Sequence, residues 1–138
     1  MELTESRLLP GTPAITSQIG SLTELGPHLV VDDFGAGCCG LGYLNSFEVS
    51  KLKIDQSLIQ GIGRNVKSSA VVSAIIGIGR ALSLKVIAEC VETHEQLRFL
   101  RAEGCDQVQG HHFSIPLVAN AFEKMVQDKA ENHTLMLN

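Results

Sequence analysis

The sequence contains no tryptophan, and aromatic residues make up only 4% of its 138 positions. Hydrophobic residues nevertheless reach 44%, which is enough for a real core. That core is therefore expected to be aliphatic. The length suits one domain and is too short for two ordinary ones.

Basic residues form no run or stripe, and the formal net charge is −4. A protein that binds nucleic-acid polymers needs clustered Lys and Arg against the phosphates, so we expect no such partner. The longest apolar stretch covers fifteen residues, from Ala70 to Leu84, and contains Arg80. Because about 20 apolar residues are needed to cross a bilayer, no membrane contact is expected from this segment.

The N terminus shows no charged and apolar pattern of the kind that marks a secretory signal. The four cysteines, Cys38, Cys39, Cys90 and Cys105, have no C-x-x-C spacing. This disfavours a zinc site or a thioredoxin-type redox motif. We therefore expect free thiols in a reducing compartment, and a cytoplasmic protein.

Short apolar runs alternate with longer segments of helical period. Four runs rich in β-branched residues, at 29–33, 51–55, 84–89 and 105–110, predict strands that are buried on both faces of a parallel sheet. The opening "ELTES" is interpreted as the tail of a further strand.

Helices are predicted between these runs by apolar spacing and capping residues. One follows Thr12 and ends at Gly26, and one covers 67–82. A third is bounded by Thr93, which has capping-box spacing to Gln96, and by Gly104. A terminal helix is expected at 119–130 and a flexible tail at 131–138. Strand, helix and strand in repeated order predict right-handed crossovers and an α/β fold.

Polar side chains gather at the C-terminal ends of the predicted strands. In chain order these residues are Glu2, Glu5, Asp32, Asp33, Lys53, Asp55, Glu89, Glu92 and Gln109. In parallel α/β sheets these ends lie on one side, where barrels and open sheets build their active sites. Five consecutive strands with polar ends therefore predict a functional site there.

Carboxylates at this density need a counter-charge, since two of them about 4 Å apart repel by roughly 4 kcal/mol at an effective dielectric near 20. Oxygen ligands suit hard divalent ions such as Mg²⁺, Mn²⁺ or Ca²⁺. Adjacent strand residues face opposite sides, so Asp32 and Asp33 share a site only if the chain turns there, which Gly35 and Gly37 permit. With Lys53 to steady a phosphate or orient an attacking hydroxide, the set suits phosphodiester hydrolysis.

Taken singly, these residues have simpler interpretations. An aspartate pair at a strand end is usually a solvated terminus or a helix cap, and Lys53 alone is typical of a protein surface. His111 and His112 point apart if they lie on a strand, so loop packing is favoured over metal binding. A phosphoreceiver domain also combines an aspartate pair with a lysine, but it leaves Glu89 and Glu92 unexplained.

Five motifs in these stretches resemble the EAL-domain family, the bacterial cyclic di-GMP phosphodiesterases. The motifs are "ELTES", "DDFGAG", "LKID", "AECVET" and "QGHHFSIP", in the family's order. The resemblance implies a (β/α)₈ TIM-like barrel, of which residues 1–118 are the C-terminal half with about five βα units. It also implies hydrolysis of cyclic di-GMP to linear pGpG with two Mg²⁺ or Mn²⁺ ions, and self-association, commonly as a dimer.

The resemblance further assigns roles to individual residues. The metal-site carboxylates would be Glu2, Asp32, Asp33 and Glu89. Lys53 would contact and help activate the nucleophilic water, and Glu92 would hold a metal-bound water. Gln109 would support the water and substrate network, while Glu5 would brace the loop after the aspartate pair.

The chain also departs from the family pattern. The Glu-Ala-Leu signature and an asparagine before "ELTES", both metal ligands in the family, have no counterpart in these 138 residues. Cys38-Cys39-Gly40 replaces a Tyr-Ser-Ser, Cys90 replaces a glycine, and Ile115 stands where an arginine is usual. We therefore expect a phosphodiesterase lineage whose present chain is inactive alone. The alternative is a degenerate EAL module that binds cyclic di-GMP or a protein without catalysis.

Overall fold

The computed structural model describes residues 1–8, 13–23, 25–26, 28–37, 41–45, 47–112, 119–120 and 123. The predicted terminal helix at 119–130 and the tail at 131–138 fall almost wholly outside these residues, so both stay predictions. Within the described part of the chain, no helix is long and apolar enough to span a bilayer.

Five strands form one parallel sheet in the order β1-β2-β3-β4-β5. They are β1 (Glu2–Thr4), β2 (Leu29–Phe34), β3 (Val49–Ile54), β4 (Lys85–Ala88) and β5 (Gln107–Val108). Each strand pairs in parallel with the next strand along the chain. The predicted α/β class with a parallel sheet is confirmed.

Helices occupy the connections between the strands. They are α1 (Glu5–Leu8), α2 (Pro13–Thr23), a 3-10 helix (Leu41–Asn45), α3 (Gln56–Gly61), α4 (Val66–Ala81) and α5 (His94–Glu103). Apolar periodicity predicted α2, α4 and α5 but missed the three short helices, because four to six residues are too few to show a period.

Side chains at the helix ends fix where the longer helices begin and stop. Asn65 accepts the N–H of Lys67 and starts α4. Thr93 and Gln96 form the predicted capping box of α5, and Gly104 ends it in the left-handed conformation at φ 78°. The predicted end of α2 at Gly26 lies too far along the chain, since the helix ends at Thr23 and Leu25 beyond it is 81% exposed.

The helices pack on one face of the sheet, and the core is aliphatic as expected. Leu52 and Val86 in the central strands are almost fully buried, and Val72 of α4 packs in the same cluster. Residues that alternate with these along the strands, such as Val30 and Ile87, remain half-buried outside that cluster. The sheet therefore presents a second face, and the candidate site lies on it.

We predict that Gly104→Ala lowers the free energy of unfolding by about 1 kcal/mol, because alanine is strained at a left-handed φ. Its Cβ would also lie 2.8 Å from Nη2 of Arg80, which donates to the carbonyl of Glu103. Gly77→Ala in α4 is the control, since nothing lies within 4 Å of the added carbon. It should raise stability by about 0.5–1 kcal/mol. Urea denaturation measures both, and equal effects would contradict the assignment.

Candidate active site

Lys53, on β3, lies among three carboxylates carried by β1, by β2 and by the segment directly after β4. Its Nζ is 3.1 Å from Oε1 of Glu2, 3.3 Å from Oδ1 of Asp32 and 3.1 Å from Oε1 of Glu89. The Lys53 side chain is only 12% exposed. Four of the residues singled out in the sequence therefore come together at one point.

Strand register explains this convergence. Lys53 pairs with Ile87, and Glu89 follows two residues later on the same face. Glu2 pairs with Val30, which lies two residues before Asp32. Glu2 therefore begins β1 rather than ending it, contrary to the expectation for the polar residues, and its longer side chain spans the remaining distance.

The carboxylates control the charge of the lysine. Partial burial by itself lowers the pKa of Lys53, but hydrogen bonds to Glu2, Glu89 and Asp32, together with the charge of Glu89, outweigh it and hold the pKa well above its usual range. Lys53 is therefore a cation at every physiological pH. The counter-charge that the carboxylates require is supplied here by its ammonium group.

The aspartate pair forms a bulge in β2. Between the pairs Val31–Leu52 and Phe34–Ile54, β2 contains two residues while β3 contains only Lys53. Asp33 is the extra residue and has a left-handed φ of 54°. Its backbone N–H donates to Oδ1 of Asp32 at 3.0 Å. The turn expected at the glycines thus begins at Asp33, because aspartate tolerates the left-handed region better than most residues.

The bulge sends the two aspartates to different places. Asp32 contacts Lys53, whereas the ion pairs of the described residues include none to Asp33. Asp33 is exposed and lines a separate cavity of about 280 Å³ together with Glu5 and Asp55. The structure therefore brings Asp32, but not Asp33, to the lysine.

A groove of about 490 Å³ opens beside the lysine. It is lined by Glu2, Lys53, Ile87, Glu89, Gln107, Val108 and Gln109. Gln109 is held there because its N–H donates to the carbonyl of Ala88, while its own carbonyl accepts the N–H of Val91. Glu92 is exposed and is absent from the described lining of this groove.

Glu5 is buried at the start of α1, with 3% of its surface exposed. Its Oε2 accepts the N–H of Gly35 at 3.0 Å, which joins α1 to the turn after the aspartates. Its Oε1 is buried and has no hydrogen-bond partner in the described part of the chain. The substituted residues Cys38, Cys39, Gly40 and Ile115 lie outside that part.

Cys90 follows Glu89 in a left-handed conformation, with φ 56°. The sequence identified the replacement of a family glycine, and the backbone angle now explains why glycine suits the position. Burial, followed by the charges of Glu89 and Glu92, raises the pKa of the Cys90 thiol. The thiol is thus protonated at neutral pH.

His112 packs as the sequence predicted for the histidine pair. Its ring centroid lies 4.4 Å from that of His94, with the rings at 73°. The backbone N–H of His112 donates to the carbonyl of Val91. His111 is exposed.

The chemistry of the donor set fits a hard divalent cation, because Glu2, Asp32 and Glu89 offer oxygen atoms that converge within 3.3 Å of one positive group. Within the described ranges, however, no three His, Cys, Asp or Glu side chains are arranged so that they could hold an ion directly. The ammonium group of Lys53 lies at the point of convergence.

Comparison with known proteins identifies the family of this chain. The family model of the EAL domain matches residues 1–116. The chain belongs to the EAL domain family. The resemblance inferred from the five motifs is confirmed.

Relatives and solved structures extend the comparison. The chain is 42% identical over 126 residues to the signaling protein YkoW of Bacillus subtilis, covering 91% of this chain and 16% of that protein. It is 39% identical over 127 residues to the cyclic di-GMP phosphodiesterase NbdA of Pseudomonas aeruginosa, covering 92% and 16%. The PaMucR phosphodiesterase in complex with c-di-GMP superposes with a TM-score of 0.81 at 37% identity, over 88% of this chain and 49% of that chain.

The chain therefore spans about half of a solved EAL domain and a small fraction of its curated relatives. The predicted fold, part of a TIM-type EAL barrel with a five-stranded parallel sheet, is confirmed. Klebsiella pneumoniae BlrP1 has been solved as a manganese and cy-diGMP complex, with a TM-score of 0.72 at 32% identity over 79% of this chain and 28% of that one.

We predict that Lys53→Met lowers the free energy of unfolding at pH 7 by about 1–2 kcal/mol, because three carboxylates lose their shared counter-charge. Added Mn²⁺ should recover part of this loss. Lys51→Met is the control, since Lys51 lies on the same face of β3 and forms none of the ion pairs found among the described residues. It should change stability by less than about 0.5 kcal/mol. Similar losses in the two variants, measured by chemical denaturation, would argue against the counter-charge role.

Proposed function

We propose that this chain contributes to the metal-dependent hydrolysis of cyclic di-GMP to linear pGpG, and that these 138 residues do not complete the reaction alone. The observation that carries the proposal is the convergence of Glu2, Asp32 and Glu89 on Lys53. Carboxylates around one cationic point on a parallel sheet suit phosphodiester chemistry. The cyclic di-GMP phosphodiesterase activity named for a relative such as NbdA supports the substrate.

The proposed metal-site carboxylates are Glu2, Asp32, Asp33 and Glu89, for Mg²⁺ or Mn²⁺. When bound, these ions neutralise charge on the phosphate and lower the pKa of water. The manganese complex of BlrP1 supports a divalent ion. Asp33 lines the other cavity and forms none of the ion pairs found among the described residues, so its place in this set rests on the family resemblance.

Lys53 acts in this proposal as a fixed positive charge. Because its neighbours hold its pKa well above the usual range, it does not accept a proton at neutral pH. Its three N–H groups face Glu2, Asp32 and Glu89, so its ammonium group would donate to the attacking water or to a phosphate oxygen once a carboxylate turns to a metal ion and frees a donor. The proton of the water must then pass to a base other than Lys53.

The remaining roles differ in their support. Gln109 lines the groove, where its amide would hydrogen-bond to water and substrate. Glu5 would brace the loop after the aspartates through the N–H of Gly35. The water-holding role of Glu92 rests on the family resemblance alone, because its side chain is exposed and outside the described groove lining.

We also propose a cytoplasmic protein that self-associates. Among the described strands, β1 and β5 each pair on one side only. Unpaired edges and a half-buried second face favour association with another protein surface. Val66, which is 86% exposed on α4, adds apolar surface.

The direct test is to incubate the purified chain with cyclic di-GMP and Mn²⁺ and to follow pGpG by chromatography. We expect no turnover above a reaction without protein, together with calorimetric binding of cyclic di-GMP that depends on Mn²⁺. Asp32→Asn should weaken that binding by about tenfold or more. Robust pGpG production that disappears in Asp32→Asn would overturn the claim of inactivity, and binding that ignores Mn²⁺ would contradict the metal-dependent site.

A second candidate is an EAL module that binds without catalysis. Cys90 favours it, because a non-glycine residue in the left-handed region stores backbone strain directly beside Glu89. The thiol side chain also occupies a position where the family has no side chain. In this candidate, cyclic di-GMP or a protein partner binds while hydrolysis is lost.

Replacing Cys90 with glycine should raise the free energy of unfolding by up to about 1 kcal/mol, the strain relieved less the extra chain entropy of glycine. Cys90→Ala is the matched control, because it removes the thiol and keeps the strain, so it should give no gain. Urea denaturation compares the three proteins. A gain in the alanine variant as large as in the glycine variant would show that the thiol, not the backbone angle, is unfavourable.

A further inference from the structure

We infer that Gln96 is a positioning residue that ties the loop after β4 to α3, and thereby holds together the two strand ends that carry Lys53 and Glu89. The inference rests on the proposed function, and it concerns a residue to which the family motifs assign no role. Gln96 also belongs to the capping box of α5.

The contacts of Gln96 extend well beyond a cap. Its side chain is buried, with 4% of the residue exposed, in the first turn of α5. Its Oε1 accepts the N–H of Glu92 at 2.8 Å and the N–H of Thr93 at 3.0 Å. Its Nε2 donates to the carbonyl of Ile59 at 3.1 Å, across 37 positions of sequence.

Both segments that Gln96 joins follow directly in sequence from strands that carry residues of the candidate site. Ile59 is fully buried in α3, which starts directly after β3 at the N-cap Asp55. The loop that ends at Glu92 and Thr93 begins with Glu89 at the end of β4. The Nζ of Lys53 lies 3.1 Å from Oε1 of Glu89, and Gln96 joins the segments that follow these two residues in the chain.

The amide is needed for the tie and not for the cap. A capping box works with glutamate as well as glutamine, because only an acceptor oxygen is required. The carbonyl of Ile59, which also accepts the N–H of Ile62, bonds to residue 96 only through a donor, and a carboxylate placed there would bring two acceptors together in a buried site. Gln96→Glu therefore keeps the cap and breaks the tie.

The matched control is Thr93→Val, which does the opposite. It removes the hydroxyl that accepts the N–H of Gln96 at 3.2 Å and leaves the side-chain bonds of Gln96 in place. If Gln96 acted only as a helix cap, Gln96→Glu would behave like the unchanged chain, because the capping bonds are kept. If Gln96 is a positioning residue, Gln96→Glu loosens the segments after β3 and β4, whereas Thr93→Val does not.

Amide hydrogen exchange of the folded chain tests the tie without metal. The reporters are the N–H of Asp55, which donates to Phe34, and the N–H of Val91, which donates to Gln109. Gln96→Glu should speed exchange at both by about tenfold, the loss expected from one hydrogen bond, while Thr93→Val leaves both nearly unchanged. Equal rates in the two variants would overturn the inference. If Gln96→Glu does not fold, Gln96→Asn, one methylene too short for both contacts, takes its place.

Calorimetry with Mn²⁺ then tests the consequence for the site. Gln96→Glu should bind Mn²⁺ about tenfold more weakly than the unchanged chain, because the loss of a residue that orients metal-binding groups commonly weakens metal affinity by about that factor. Thr93→Val should bind Mn²⁺ as tightly as the unchanged chain. Equal affinity in the two variants would overturn the positioning role. If the unchanged chain binds no Mn²⁺, the metal-dependent function fails, and the exchange rates alone decide whether Gln96 holds the two loops together.

Discussion

The contact on which the site depends is the ammonium group of Lys53 between Glu2, Asp32 and Glu89. Three carboxylates cannot approach one another at the edge of a core unless a positive charge offsets their repulsion. The parallel register places them on the face of the sheet opposite the helices, and Lys53 makes that placement tolerable. A bound divalent ion and this ammonium group would therefore compete for the same carboxylates, which links metal binding to the position of one lysine.

Irregular backbone accompanies this charge cluster. Asp33 forms the bulge of β2 and Cys90 follows the end of β4, both with left-handed φ angles. Residues held in such conformations are common at functional sites, where the surrounding structure holds them in place. Here the buried side chains of Glu5 and Gln96 form hydrogen bonds that hold the loop after Asp33 and the loop after β4. The loops are thus positioned by groups that do not themselves face the groove.

Membership of the EAL family gives these features a common meaning. The matched region covers 1–116, and a solved EAL phosphodiesterase superposes on 88% of the chain. Of the substituted positions, Cys90 lies in the described part of the chain, beside the cluster rather than within it. Cys90 alters the backbone next to Glu89, yet Lys53 and its three carboxylates are retained. This combination supports a site that keeps its electrostatics.

The sequence by itself determined the parallel sheet, the three longer helices and the group of polar residues, because apolar period, capping residues and family motifs are local patterns. Only the tertiary structure decided that Asp32 and Asp33 separate, that Glu92 stays outside the described groove lining, and that Gln96 reaches Ile59. These outcomes depend on strand register and on contacts between residues far apart in the chain. A one-residue bulge changes which way a side chain points without changing the local pattern that predicts the strand.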